Sequence, residues 1–307
     1  MSVRIAIELG DPRGIGPEIV GKVMKDPPAG AEYVLVGPSS LIDPLPGEHV
    51  AVGDDLVGDA TPGALLQLDQ ETAGRVTGAE IQRAAQLALD GDVQGIVTAP
   101  AEKAALHAAG FTYPGHTEWL AELAGGADVA MMLAGHRLRV VLVTTHLPLR
   151  DIFDALTVDR IVQVGQITRE ALIEGWGISE PRLAVCAVNP HAGEHGLFGS
   201  EDQEIIAPAA EQLGAAGPVP ADTVFVRAMR GEFDAVLAPY HDIGMTAIKV
   251  AEFGRAVNVT LGLPFVRTSP DHGTAFDLAG RGIADPNSMK EAVALAVRLA
   301  ERRGQQG

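Results

Sequence analysis

Basic residues are scarce in this chain: 23 Lys and Arg stand against 40 Asp and Glu, for a net charge of -17. A surface so biased repels phosphate backbones and anionic lipid, because binding either one needs clustered Lys and Arg. Nucleic acid and membrane surfaces are therefore poor partners. Long hydrophobic runs are also missing. Runs such as Val140 to Val143 and Leu183 to Val188 have strand length and fall far short of the ~20 residues that span a bilayer, so no transmembrane segment is expected. The chain passes from Met1-Ser2-Val3-Arg4 straight into an apolar stretch without the charged and apolar regions of a secretory leader. Cysteine is limited to Cys186, inside the apolar run Leu183 to Val188, and reads as a buried, inert thiol. A cytoplasmic location fits that thiol. Two phosphate-binding signatures are absent as well: neither G-x-G-x-x-G nor a Walker loop with its Lys and Ser/Thr occurs.

What is present points to a globular α/β protein. With 307 residues and 47% hydrophobic content, the chain can bury a sizeable core in one large or two medium domains. Short apolar runs recur at Val3–Leu9, Tyr33–Val36, Gly95–Thr98, Arg139–Thr144, Leu183–Val188, Ala235–Ala238 and Ala256–Thr260. Each is followed by a cluster of Gly, Pro, His or Asp and then by apolar residues at three-and-four spacing, as in alternating β and α units. Gly78–Asp90, Asp159–Glu174 and Ser288–Arg302 read as amphipathic helices that cover sheet faces. The segment from Pro44 to Gly63 reads as hairpins or loops, and Arg302 to Gly307 as a frayed end.

In open α/β sheets ligands gather at the carboxyl ends of strands. Three expected strands lead directly into histidines: His146 in Thr145-His146-Leu147-Pro148, His191 in Asn189-Pro190-His191-Ala192-Gly193, and His241 in Pro239-Tyr240-His241-Asp242. Three imidazoles at equivalent strand ends can converge on one divalent cation and leave a position open for substrate. Any one of them alone reads equally as a loop histidine making local hydrogen bonds. Asp242 either completes a metal shell or orients His241. In Tyr113-Pro114-Gly115-His116-Thr117-Glu118, His116 and Thr117 either meet an anion at a helix start or form an exposed turn with Thr117 as N-cap. Lys249 follows His241 closely enough to relay a hydroxyl proton, and Arg267 offers a planar fork to phosphate. Both residue types are otherwise ordinary surface charges. The glycine-rich turn Gly10-Asp11-Pro12-Arg13-Gly14-Ile15-Gly16 is a weak signal of close approach to a ligand.

Taken in order, the segments GDPRGIGPEI, VTAP, YPGHTE, TTHLPLRD, NPHAGEHGLFG, PADT, YHDIG and VNVTLGLPFVRTSPDHGTAFDLAGRGIADP resemble the 4-hydroxythreonine-4-phosphate dehydrogenase family of the vitamin B6 pathway, over nearly the whole chain. The resemblance implies an isocitrate/isopropylmalate dehydrogenase-like fold of two α/β/α domains with a cleft between them. The first would take residues 1–125 and 255–307, and the second residues 126–254 with the dimer interface. It further implies that His146, His191 and His241 hold one divalent metal (zinc, magnesium or cobalt). His116, Thr117, Lys249, Asn258 and Arg267 would bind a small phosphorylated substrate, with Lys249 and Asp242 in catalysis. His272, Gly273, Thr274, Asp277 and Gly280 resemble the cofactor loop of those dehydrogenases, which implies NAD or NADP without a Rossmann fingerprint. A homodimer with a shared active site is implied too. Ile243 stands where the family commonly has Gln, so relatives that oxidise 4-phosphates of threonate or erythronate, or aromatic cis-dihydrodiols, remain alternatives. A metal-dependent phosphate-ester hydrolase and a non-catalytic metabolite binder are more distant ones. Neither accounts for the cofactor-like loop.

Overall fold

The structure, a computed structural model, describes residues 2–305. Its eleven strands run in chain order as β1 (Val3–Glu8), β2 (Ala31–Gly37), β3 (Glu48–Ala51), β4 (Gly95–Thr98), β5 (Ala130–Ala134), β6 (Arg139–Leu142), β7 (Leu183–Cys186), β8 (Ala216–Val219), β9 (Ala235–Ala238), β10 (Val257–Leu261) and β11 (Val266–Pro270). The chain divides into two compact units, one of residues up to 127 together with 263–305, the other of residues 128–262. The second unit runs on to Gly262 because β10 pairs antiparallel with β5, Val257 opposite Ala134 through Leu261 opposite Ala130.

In the first unit the order is β3-β2-β1-β4-β11, with every pair parallel. Parallel strands are covered on both faces and so read as continuous apolar runs; Ile5, Ala6, Ile7, Leu35, Val36, Ile96 and Val97 are fully buried. Helix Gln70–Leu89 starts where the Asp69 carboxylate accepts from Thr72 N at 2.9 Å, a cap worth about 1 kcal/mol. It lies against β1, β2 and β4. Gly74 lets helix Lys103–Ala108 approach: a Cβ there would sit 2.0 Å from the Ala105 carbonyl oxygen. Helix Asn287–Gly304 covers β11 and β4 with Met289, Ala292, Val293, Ala296 and Ala300, each large apolar side chain contributing roughly 1.5–3 kcal/mol on burial.

The second unit has the order β10-β5-β6-β9-β7-β8. β10, β5 and β6 pair antiparallel, and β6, β9, β7 and β8 pair parallel. Its core gathers Leu133, Val140, Leu142, Cys186, Val224, Val236 and Ile248. Helix Val158–Glu174 is capped by Thr157, whose hydroxyl oxygen accepts from Arg160 N at 3.1 Å.

Several expectations need correction. Residues 44–63 do not form hairpins: β3 pairs parallel with β2, and single helical turns follow at Asp54–Val57 and Pro62–Leu65. The helix expected from Gly78 begins at Gln70, because its first two turns pack through Ala73, Gly74, Val76 and Thr77 rather than through large apolar residues. The end expected to fray from Arg302 is helical to Gly304; Gln306 and Gly307 lie outside the described residues. No helix among the described residues is long and apolar enough to cross a membrane.

Candidate active site

β6, β9 and β7 are adjacent and mutually parallel, so their carboxyl ends share one edge of the second unit. His146, His241 and His191 follow those three ends. The rings of His146 and His241 stand 5.4 Å apart, centroid to centroid, with planes at 45°. His241 opens helix His241–Glu252, and its Nδ1 lies 2.7 Å from Asp242 Oδ1. That contact leaves Nε2 as the free ring nitrogen and fixes the tautomer. Of the two roles considered for Asp242, the contact fits the orienting one.

His191 sits in an unusual loop. Residues His191, Ala192, Gly193, Glu194 and His195 all have left-handed backbone, with φ between 41° and 75°. For the four that are not glycine this costs of order 1–2 kcal/mol each, so neighbours must hold it. Asp202, fully buried, accepts from Val188 N and Asn189 N at 2.9 Å each. Asn189 Nδ2 in turn donates to Glu201 at 2.8 Å, and Phe198 N to the Gly193 carbonyl at 3.1 Å. The His191 ring lies 6.5 Å from that of Phe198. Among the described residues no three His, Cys, Asp or Glu side chains come together to hold a metal: one chain brings His146 and His241 together and does not add His191. Imidazole donors with an oriented Nε2 suit a divalent metal, so the pair fits part of a metal site.

Lys249 stands on the same helix as His241, a little over two turns on, ~12 Å along the axis. Asn258 lies on β10 with its Oδ1 buried and without a hydrogen-bond partner. Both belong to the second unit.

A second group of polar side chains lies in the first unit. Arg267, on β11 opposite Ile96 of β4, is 3% exposed, and its Nη2 donates to Thr98 Oγ1 at 2.7 Å. Burial pushes its guanidinium down to about 10, opposed by the charges of Glu8 and Glu118, so it remains a cation at neutral pH. His116 is the first residue of helix His116–Leu123; the N-cap is Gly115 in extended backbone, and Thr117 is within the helix rather than capping it. Buried Trp119 anchors this start by stacking on Tyr113 at 5.2 Å and meeting Phe111 at 4.6 Å. His116 Nε2 lies 3.7 Å from Glu8 Oε1. Lys103, in contrast, is exposed.

The segment His272 to Gly280 forms a loop after β11. Thr274 accepts from Ile15 N through its carbonyl at 2.9 Å, and a Cβ at Gly14 would lie 2.9 Å from that same oxygen. The glycine-rich turn thus packs backbone to backbone on the loop. Gly10, with φ +74°, leaves only 2.4 Å between a Cβ and the Pro100 carbonyl oxygen, so no other residue fits there without a shift. Arg13 bonds Asp11 through Nε at 3.0 Å and Nη2 at 2.7 Å, and Glu102 at 2.6 Å, and lies over the Phe276 ring at 5.3 Å. Arg13, Leu66, Gln67, Glu102, Phe276 and Ala279 line an open cavity of about 550 Å³. Gly280, φ +74°, turns the loop against Leu66, while His272 Nδ1 lies 3.1 Å from the Gly273 carbonyl. Gly273 and Asp277 lie within this same loop. Sequence reasoning gave no role to Asp11, Arg13, Thr98, Glu102, Asp202 or Glu8; Asp11 and Arg13 carried a signal through the glycine-rich turn, and Thr98 and Glu102 through the cluster from Thr98 to Lys103.

Residues 51–296 match the family model described as pyridoxal phosphate biosynthetic protein PdxA. The chain is 43% identical to the 4-hydroxythreonine-4-phosphate dehydrogenase of Caulobacter vibrioides, covering 98% of each. It is 41% identical to the D-threonate 4-phosphate dehydrogenase of Pectobacterium atrosepticum, covering 98% of this chain and 100% of that one. Among solved structures, 4-hydroxythreonine-4-phosphate dehydrogenase from Klebsiella pneumoniae superposes with a TM-score of 0.85 at 41% identity over 98% of both chains. A β-decarboxylating dehydrogenase from Thermococcus kodakarensis shares the fold at 14% identity and a TM-score of 0.51, over 96% of this chain and 81% of that one.

Proposed function

The chain belongs to the family of pyridoxal phosphate biosynthetic protein PdxA, and on that premise we propose that it oxidises the secondary alcohol of a small phosphorylated acid, 4-hydroxythreonine 4-phosphate, with NAD or NADP as hydride acceptor. The observation that carries this reading is the common edge of β6, β9 and β7, where His146, His241 and His191 follow three adjacent parallel strands. In this reading His146 and His241 hold one divalent metal, and His191 completes the set from a second copy of the chain. Exposed Leu147 and Leu149 after His146, and Leu197 and Phe198 after His191, support a homodimer that covers this face. A divalent metal held by these histidines would supply Lewis-acid polarisation of a hydroxyl, and a nicotinamide held by the His272 to Gly280 loop would supply a hydride acceptor.

The chain's own residues do the rest. Arg267 and His116, with Thr117, bind the phosphate; a buried guanidinium is already desolvated and oriented for a dianion. Asn258 presents its buried amide oxygen to a substrate donor, and Lys249 accepts the hydroxyl proton. Asp242 keeps Nε2 of His241 turned outward. The loop from His272 to Gly280, through Gly273, Thr274 and Asp277, receives the cofactor beside the Arg13 cavity. Oxidation at C3 yields a β-keto acid, which loses carbon dioxide.

The test is nicotinamide reduction by metal-supplemented protein, with and without chelator, on 4-hydroxythreonine 4-phosphate, the 4-phosphates of threonate and erythronate, and an aromatic cis-dihydrodiol. Chelator-sensitive reduction of the first supports the proposal. Phosphate release without any nicotinamide requirement would replace it with a hydrolase. A second reading, oxidation of a threonate 4-phosphate, is favoured by the similar identity to the Pectobacterium relative and by Ile243 beside His241. The same substrate panel separates the two.

A further inference from the structure

Behind His116 lies a pair of acids to which the dehydrogenase reading gives no task. Glu8, the last residue of β1, and Glu80, on helix Gln70–Leu89, are both fully buried. Both turn an oxygen to the same backbone donor: Gly10 N donates to Glu8 Oε2 and to Glu80 Oε2, 2.8 Å each. The backbone donors of Gly10 and Leu9 do not compensate two buried anions, so Glu80 holds its proton above the ordinary range. Burial, and then the charge of Glu8, push Glu80 well above the ordinary carboxylate range. Facing the pair are the Arg267 guanidinium on β11 and the His116 ring at the start of its helix, with Glu118 also facing Arg267.

Three buried atoms in this group have no hydrogen-bond partner: Glu8 Oε1, Glu80 Oε1 and His116 Nε2. Buried polar atoms are nearly always paired, and an unpaired one calls for an explanation. Two of the three face each other, His116 Nε2 at 3.7 Å from Glu8 Oε1, which is about 0.8 Å beyond a charge-assisted hydrogen bond. Donor and acceptor are thus complementary, and one small ring movement short of contact.

We propose that Glu8 is the positioning residue for His116: when a phosphate group enters, the ring closes onto Glu8 Oε1 through Nε2–H and turns Nδ1 to the ligand. Glu8 does not touch substrate. It selects the ring face that meets the anion, Nε2–H donating to Glu8 while Nδ1–H donates to the phosphate, and Glu80 keeps the pair from becoming a dianion that would repel phosphate. The inference rests on the reading of His116 as a substrate contact.

Steady-state kinetics on 4-hydroxythreonine 4-phosphate with Glu8→Gln, His116→Asn and the double variant test it. Loss of one charge-assisted hydrogen bond raises KM about tenfold. The expected pattern is that rise in Glu8→Gln with kcat little changed, and a double variant no worse than His116→Asn alone. A KM for Glu8→Gln within twofold of the parent's, or additive effects in the double variant, overturns the role of Glu8 while leaving His116 as a substrate contact. An unchanged KM in His116→Asn overturns both readings. If Glu8→Gln does not fold, the crystal structure of the unaltered protein with inorganic phosphate decides: a Nε2 to Oε1 distance near 2.8 Å supports the proposal, and one that stays at 3.7 Å or more ends it.

Discussion

The Asp242 carboxylate holds Nδ1 of His241 at 2.7 Å, so the ring nitrogen left to the solvent is Nε2. Partners of this kind raise the basicity of a ligating imidazole and set its direction. Asp242→Asn is expected to weaken divalent-metal affinity roughly tenfold to a hundredfold, and His241→Ala to remove it. Competition against a chromophoric chelator measures both. Unchanged affinity in His241→Ala would place the metal elsewhere.

Glu80 has a stability signature of its own. Its ordinary value is 4.5 and burial raises it in the folded chain. Below that value both states are protonated and nothing is lost. As pH rises above it, the unfolded chain releases a proton that the native state keeps, and stability falls by about 1.4 kcal/mol per pH unit until native Glu80 ionises as well. Glu80→Gln removes this loss. In urea unfolding the variant should therefore gain on the parent protein between pH 5 and pH 8; a parent that gains instead would mean that Glu80 is ionised in the native state.

Burial also pushes the Cys186 thiol up to about 12, and the thiol is fully enclosed. The thiolate is the reactive form, so a thiol-specific reagent at pH 8 is expected to label Cys186 only as fast as the protein unfolds. Labelling at the rate of a free peptide thiol in the native protein would contradict the packing of β7.

Asp202 is the clasp on the left-handed loop. Replacing it with Ala leaves Val188 N and Asn189 N without their acceptor, at a cost of about 1–3 kcal/mol for each buried donor. Asp202→Ala should lower the unfolding free energy by roughly 2–4 kcal/mol and, in the proposed enzyme, reduce metal affinity through His191. Glu204, on the same turn but exposed, is the control: Glu204→Ala should leave stability within about 0.5 kcal/mol.

Seven strands were legible because each is an apolar run closed by a turn residue, and Gly95–Thr98 and Ala235–Ala238 carry the same bounds in the structure. The other four escaped for physical reasons. β11 reads Val-Arg-Thr-Ser-Pro, polar by composition, yet all five residues are buried, since Arg267 and Thr268 find partners inside. β5 is Ala-Met-Met-Leu-Ala with no β-branched residue, β8 contains Gly and Pro, and β3 buries none of its residues fully. The three histidines were legible from their place after strands. Glu80 was not, because it sits 72 residues from Glu8 on an otherwise ordinary helix.

By itself the sequence determined the α/β class, the acidic surface and the placing of histidines at strand ends, because hydrophobic period, charge and turn chemistry are local properties. Tertiary structure alone decided that β6, β9 and β7 lie side by side, that His146 and His241 meet while no third His, Cys, Asp or Glu joins them among the described residues, and that two distant glutamates share one buried N–H. Those relations arise from strand order and helix crossing, where residues far apart in the chain are forced within a few ångströms of each other and burial turns ordinary side chains into strongly coupled ones.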